Sequence, residues 1–282
     1  MRVGIIGDAR RAVAWENHLR PLNIVKEVVI APFLKDIGEV QACILLDESP
    51  DNLNLLTECI RKGLHTFLVS TLPVDREQLE RVYHTSEEAE VRVQFSHWPS
   101  ISPSTQWMFR QLSKPRFIQV IKEKSHLNFT DNLENFDHHW MDEIALITKW
   151  MALPPHRVEP VSLTLQNVDT GIQIYLKYES GASASVFYLA SGIEDRHRRI
   201  ISDHSLLLDQ DVLHQTVRKL HTHNSDPPVI EKKEFDAGKA AELSAIQFFK
   251  SVQLKNETIF TPFDALKTAD TVHKIQKQLD KF

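Results

Sequence analysis

Arg2-Val3-Gly4-Ile5-Ile6-Gly7-Asp8-Ala9-Arg10-Arg11-Ala12 opens the chain with a short apolar run that meets a glycine and then a charged stretch. Arg2 to Ile6 reads as a strand. Beyond it Ala12, Trp15, Leu19 and Leu22 recur at spacings of three and four, the mark of one buried helix face. The same alternation continues outward. Val25 to Ile30 reads as a second strand, and Val40 to Leu46 as a third, continuously apolar as a strand buried on both faces must be. A turn cluster, Asp47-Glu48-Ser49-Pro50-Asp51, leads into a helix with Leu53, Leu56 and Ile60 on one face, closed by Lys62-Gly63. His65 to Val69 is a fourth strand, Asp75 and Gln78 start another helix as a capping box, and Val91 to Phe95 is a fifth strand. Strand and helix in this rhythm imply a parallel sheet with helices on both faces.

After residue 98 the texture changes. Phe117 to Ile121, Val161 to Leu165, Ile172 to Tyr178 and Ala182 to Phe187 read as strands, with Ile172, Ile174, Leu176 and Tyr178 apolar at period two. Such alternation predicts a mostly antiparallel sheet with one packed and one open face. A helix with Trp140, Ile144, Ile147 and Met151 on one stripe covers the packed face. The polar stretch 209–238, with Pro227-Pro228, reads as a loop-rich excursion, and two helices end the chain, the last opened by Thr261-Pro262-Phe263-Asp264. The expected organisation is α/β: a parallel-sheet nucleotide-binding domain at 1–98 and an α+β open-faced sheet domain at 99–282, its final helices packing back.

Composition narrows the function. Only 8 of 282 residues are glycine, at positions 4, 7, 38, 63, 171, 181, 192 and 238, where average usage of about 7% would supply about 20. No complete G-x-G-x-x-G or Walker loop can be assembled from them. A net charge of −5 without a long basic cluster argues against nucleic acid as a partner. Cys43 and Cys59 sit in apolar segments, the place of core thiols in a reducing compartment, and the first residues resemble neither a signal peptide nor a span. A cytoplasmic protein without a membrane partner is expected.

In a parallel sheet the first strand-to-helix turn is the phosphate site. Gly7 fills its tight-turn position, while Ala9 and Ala12 stand where the second and third glycines belong. A methyl group at Ala9 weakens close approach of a pyrophosphate. Asp8 adds a negative charge there, which Arg10 and Arg11 are placed to offset. No acidic residue follows the second strand, where Ala31-Pro32-Phe33-Leu34 appears, so the usual ribose ligand of NAD is missing, and Arg10, Arg11 or Lys35 would suit a phosphorylated ribose instead.

Val40 to Pro73, set at this distance from Arg2 to Gly7, followed by Trp98-Pro99, Lys114 to Val120 and Thr261 to Leu266, resembles in order and spacing the Gfo/Idh/MocA oxidoreductases. The resemblance covers nearly the whole chain and implies a Rossmann-like domain, NAD or NADP as cofactor, and a sugar-like or polyol substrate. It also implies a dimer or tetramer assembled through the sheet of the second domain. The catalytic set it implies is altered. The family's lysine falls on Ser70, or on Leu72 if Pro73 is the anchor, and its Thr-Pro after the third strand becomes Asp47-Glu48. Its aspartate, histidine and second aspartate fall on Asn135, His139 and Asp142.

His139 is thereby the acid–base candidate, with an unperturbed pKa of about 6.5, and Asp142 lies one helical turn away to orient it. Against this stands a plain role for His138-His139 in capping a helix that begins at Trp140. A metal site built from His138, His139 and Asp142 is disfavoured because adjacent helical residues point about 100° apart. His221-Thr222-His223 reads as solvated. Two functions follow: an NAD(P)-dependent oxidoreductase, or a non-catalytic descendant that binds a ligand or serves as a structural partner.

Overall fold

The computed structural model describes residues 1–221 and 229–281; Thr222, His223 and Pro227-Pro228 lie outside the described residues. From the N-terminus β1 (Arg2–Gly7), α1 (Ala9–Leu19), β2 (Glu27–Ala31), β3 (Ala42–Leu46), α2 (Asn52–Arg61), β4 (His65–Val69), α3 (Arg76–Glu88) and β5 (Val93–Phe95) alternate as the apolar periodicity requires. The five strands form one sheet in the order β2-β1-β3-β4-β5, every pair parallel. The second strand starts two residues later than the apolar run suggests, because the Val25 and Lys26 amides donate to Leu22 O and Met1 O in a turn. β3 is buried at every position, as a central strand covered on both faces should be. Trp15, Phe67, Phe248 and Phe249 dominate the core on one of those faces.

The chain continues through α4 (Trp98–Ile101), α5 (Pro103–Gln111), β6 (Phe117–Ser125), α6 (Phe129–Glu134), α7 (Phe136–Met151), β7 (Arg157–Leu165), β8 (Val168–Lys177), β9 (Ser183–Gly192), β10 (Arg196–Ser202), β11 (Leu206–Asp211), β12 (Thr216–His221) and β13 (Val229–Glu234). It closes with α8 (Ala240–Leu254) and α9 (Pro262–Leu279). β6 to β13 form a second sheet in the order β13-β12-β11-β10-β6-β9-β8-β7, parallel only between β6 and β9. The loop-rich reading of 209–238 is therefore corrected: β11, β12 and β13 pair antiparallel along this stretch. Its short alternations had been hidden by charge, since only Leu208, Gln210 and Val217 turn inward on β11 and β12.

Contacts divide the chain into two units, 1–101 with 238–269 and 102–237 with 270–282. Within the second, Ile118, Val120, Ile172, Ile174, Leu176, Val186 and Tyr188 are buried, and α7 packs against β9. The alternate residues Phe117, Val161, Leu163 and Tyr175 remain exposed on the open face. Thus Ile172, Ile174 and Leu176 serve the packed side, and a partner on the open side would meet Tyr175 and its neighbours. α7 begins at Phe136 with Asn135 in the cap position, so the expected start at Trp140 is corrected. His138 and His139 lie inside the helix rather than capping it.

Candidate functional site

The carboxyl ends of β1, β3 and β4 lie side by side, and the order of successive strands switches direction between β1 and β3, the place where parallel sheets receive ligands. Gly7 ends β1 with φ +132°, and a β-carbon there would stand 2.3 Å from Leu46 O of the neighbouring strand. The tight turn thus needs its glycine. Ala12 is fully buried, which lets α1 sit close on the sheet as a small residue at the third glycine position should. Ala9 and Arg10 are exposed on the first turn of α1.

Arg11, on this turn, is engaged by two of the protein's own carboxylates. Asp8 caps α1, its Oδ1 accepting from the Arg11 amide at 2.9 Å. Asp47 turns inward on its own loop, accepting from the Ser49 amide at 2.8 Å. The carboxylate that spans the strand ends is Glu48. One oxygen accepts from Arg11 NH2 at 3.1 Å and the other from the Thr71 amide at 2.9 Å. Ser70, just past β4, is tied to the residue that follows β5: its amide donates to Ser96 Oγ at 3.0 Å, and that hydroxyl donates back to Ser70 O at 2.8 Å.

In the second unit His139 lies in the first turns of α7, its ring 5.1 Å from that of Tyr188. Burial, reinforced by the nearby Lys122 cation, brings its imidazole down to about 4, so it is neutral at pH 7. Burial pushes Asp142 up to about 6 against the opposing pull of Lys122. Asn135 is exposed, and its amide donates to Asp131 O at 3.0 Å, closing α6 rather than meeting His139.

Lys122 is a residue that the periodicity argument did not single out. It is 8% exposed on β6, on the same side as Ile118 and Val120, and its Nζ donates to His139 O at 2.9 Å. Its burial lowers its proton affinity, while Glu143 and Asp142 counter that effect. The available signal was a lysine at an inward period-two position. Behind it, Glu143, Arg199 and His197 form a fully or nearly buried cluster. Glu143 occupies the apolar stripe of α7, three residues after Trp140, a place where a carboxylate requires a partner. Burial alone would raise its carboxyl, but Arg199 and His197 overcome that and hold it well below the usual range.

On the open sheet face the ends of β10, β11 and β12 enclose a pocket of about 370 Å³. Two of its basic groups are already paired, Arg198 with Asp209 at 2.6 Å and His214 with Asp211 at 2.8 Å. Among the described residues no group of histidine, cysteine and carboxylate side chains is arranged to hold a metal ion. No helix is long and apolar enough to cross a membrane among those residues.

This architecture matches solved proteins over almost its full length. UDP-N-acetylglucosamine 3-dehydrogenase GnnA from Acidithiobacillus ferrooxidans superposes with a TM-score of 0.83 at 12% identity, covering 98% of this chain and 96% of that one. The chain shares the two-domain fold of that protein. An NAD binding oxidoreductase from Klebsiella pneumoniae shares that fold with a TM-score of 0.80 at 10% identity, over 98% of this chain and 96% of the other. Dehydrogenase MviM from Clostridium difficile does so with 0.79 at 10% identity, over 99% of both chains. No family model and no curated protein matches the sequence. Within this shared fold Gly7 ends the first strand of the parallel sheet and His139 lies near the start of the long helix of the second unit.

Proposed function

We propose that this protein is an NAD(P)-dependent oxidoreductase of the Gfo/Idh/MocA type acting on a hydroxyl of a sugar-like or polyol substrate. The observation that carries the reading is the two-domain fold shared with solved dehydrogenases over almost the whole chain, with His139 and Asp142 one turn apart on α7. The Gly7 turn fits a nucleotide phosphate: its glycine is sterically required, α1 starts directly after it, and Arg10 and Arg11 stand on the first turn. Gly7, Asp8, Ala9, Arg10, Arg11 and Ala12 would line that phosphate, and Asp47 with Glu48 would border it. A nicotinamide nucleotide held there supplies the hydride acceptor.

The chain's own part is proton handling and orientation. A neutral imidazole nitrogen of His139 takes the substrate hydroxyl proton. Asp142, ionised above about pH 6, offsets the positive charge that His139 gains. Lys122 fixes the helix start through His139 O. The open sheet face, with Phe117, Val161, Leu163 and Tyr175, fits a second copy of the chain.

A second reading, a non-catalytic descendant that binds a ligand or a partner, is favoured by Ser70, which offers no cation where the family's lysine stands. Titration with NAD(H) and NADP(H), followed by nicotinamide fluorescence and thermal shift, separates the two. Binding together with turnover of a UDP-sugar or polyol that is lost in His139→Ala supports the oxidoreductase. Absence of binding at millimolar nucleotide overturns it. Sedimentation as a monomer at micromolar protein would overturn the oligomer.

A further inference from the structure

Glu48 stands at the end of β3, the strand between β1 and β4. Its two oxygens hold one group from each neighbouring turn, the Arg11 guanidinium after β1 and the Thr71 amide after β4. A cation and a backbone N–H that converge on one anion are the donors a phosphate uses. All the partners are solvent-accessible, with Arg11 and Glu48 side chains 39% and 48% exposed, so the bridge is not part of the core. Such a surface pair contributes about 0–1 kcal/mol to folding. The bridge across three strand ends thus reflects the local match of one carboxylate to two donors and not a demand of the core.

We infer that Glu48 is an internal stand-in for a ligand anion, and that an anionic nucleotide binds the Gly7 turn only by displacing it. The inference rests on the nucleotide reading of that turn. It identifies Glu48 as the residue that sets the affinity of this chain for a phosphate-bearing ligand. With Glu48 in place, the incoming phosphate meets a like charge and finds Arg11 and the Thr71 N–H already occupied. With Glu48 withdrawn, Arg11 and the Thr71 N–H become available together with the turn, and the local charge changes by one unit in the ligand's favour.

The discriminating experiment is calorimetric titration of wild type, Glu48→Gln and Glu48→Asp with NADP+ and with ADP, while the Thr71 amide is followed by NMR. Glu48→Gln removes the charge, and Glu48→Asp keeps it but shortens the side chain by one methylene and so breaks the bridge. The expected result is binding by Glu48→Gln about tenfold or more tighter than wild type, an intermediate Glu48→Asp, and a Thr71 amide shift on saturation. Equal affinity in wild type and both variants leaves the nucleotide reading standing and overturns the displacement. Weaker binding by Glu48→Gln overturns it too, by making Glu48 a ligand contact. No binding by any of the three overturns both readings. Unchanged thermal stability of the variants in the absence of nucleotide confirms that the comparison reports on the site.

Discussion

Arg199 grips Glu143 with two parallel bonds, Nε to Oε2 at 2.8 Å and NH2 to Oε1 at 2.7 Å, and thereby ties β10 to α7 inside the second unit. Arg199 NH1 also donates to Gln210 Oε1 at 3.1 Å, and Gln210 Nε2 donates to Ser104 Oγ at 2.7 Å, carrying the network to β11 and α5. Removing one partner leaves a buried charge uncompensated, which costs about 3–5 kcal/mol. Arg199→Met should lose that much in urea unfolding, whereas Arg199→Met with Glu143→Leu should recover much of it. Equal destabilisation by the single and double variants would show that packing, not charge, dominates here.

Acid should weaken the second unit before ordinary carboxylates titrate. Burial lowers His197 to about 4 despite Glu143, and His139 also lies at about 4. Unfolded imidazoles titrate near about 6.5, so from there downward the unfolded chain binds two protons that the fold refuses. Asp142 works the other way, binding one proton in the fold below about 6 that the unfolded chain does not yet bind. The net excess is one proton on the unfolded side, so stability present at pH 7 falls by about 1.4 kcal/mol per pH unit between about pH 6 and pH 4. Glu143, whose folded pKa is depressed, adds stability that is lost only at still lower pH. His197→Gln should flatten the slope in urea unfolding at pH 6 and 5. A flat wild-type profile would mean that only one of the two imidazoles stays neutral in the fold, and stability that rises on acidification would mean that both are charged.

Lys122→Met should raise the His139 pKa above about 4, because repulsion by that cation is the largest influence on it after burial. Lys122→Arg should restore the wild-type value. Histidine ring proton shifts followed against pH by NMR report this directly, and an unmoved His139 in Lys122→Met would remove Lys122 from the electrostatics of α7.

Two glycines with positive φ separate backbone strain from crowding. Gly38, at φ +67°, has open space where a β-carbon would go, whereas Gly7, at φ +132°, faces Leu46 O at 2.3 Å. Gly38→Ala should cost about 1 kcal/mol from conformation alone. Gly7→Ala should cost at least about 2 kcal/mol, and should weaken any nucleotide affinity as well. Denaturant unfolding of the pair checks the difference, and equal costs would place the turn elsewhere than at Gly7.

Periodicity along the chain was enough to determine the parallel sheet, because β3 is apolar throughout and each helix carries its own buried stripe, as Leu53, Leu56 and Ile60 show on α2. Alternation also set Ile172, Ile174 and Leu176 in one row, while leaving open which face that row takes, and the family resemblance drew attention to His139 and Asp142. Periodicity failed on β11 to β13, where pairing is made by backbone bonds and cross-strand charges such as His221 with Glu231 rather than by an apolar pattern. Only the tertiary structure decided which charged residues act together. Glu143 and Arg199 are 56 residues apart, and Arg11 and Glu48 are 37 apart. A hydrophobic stripe is a local property that every turn of helix repeats, so sequence displays it. A charge pair forms where folding brings two strands or a strand and a helix together, and neither residue alone carries a mark of its partner.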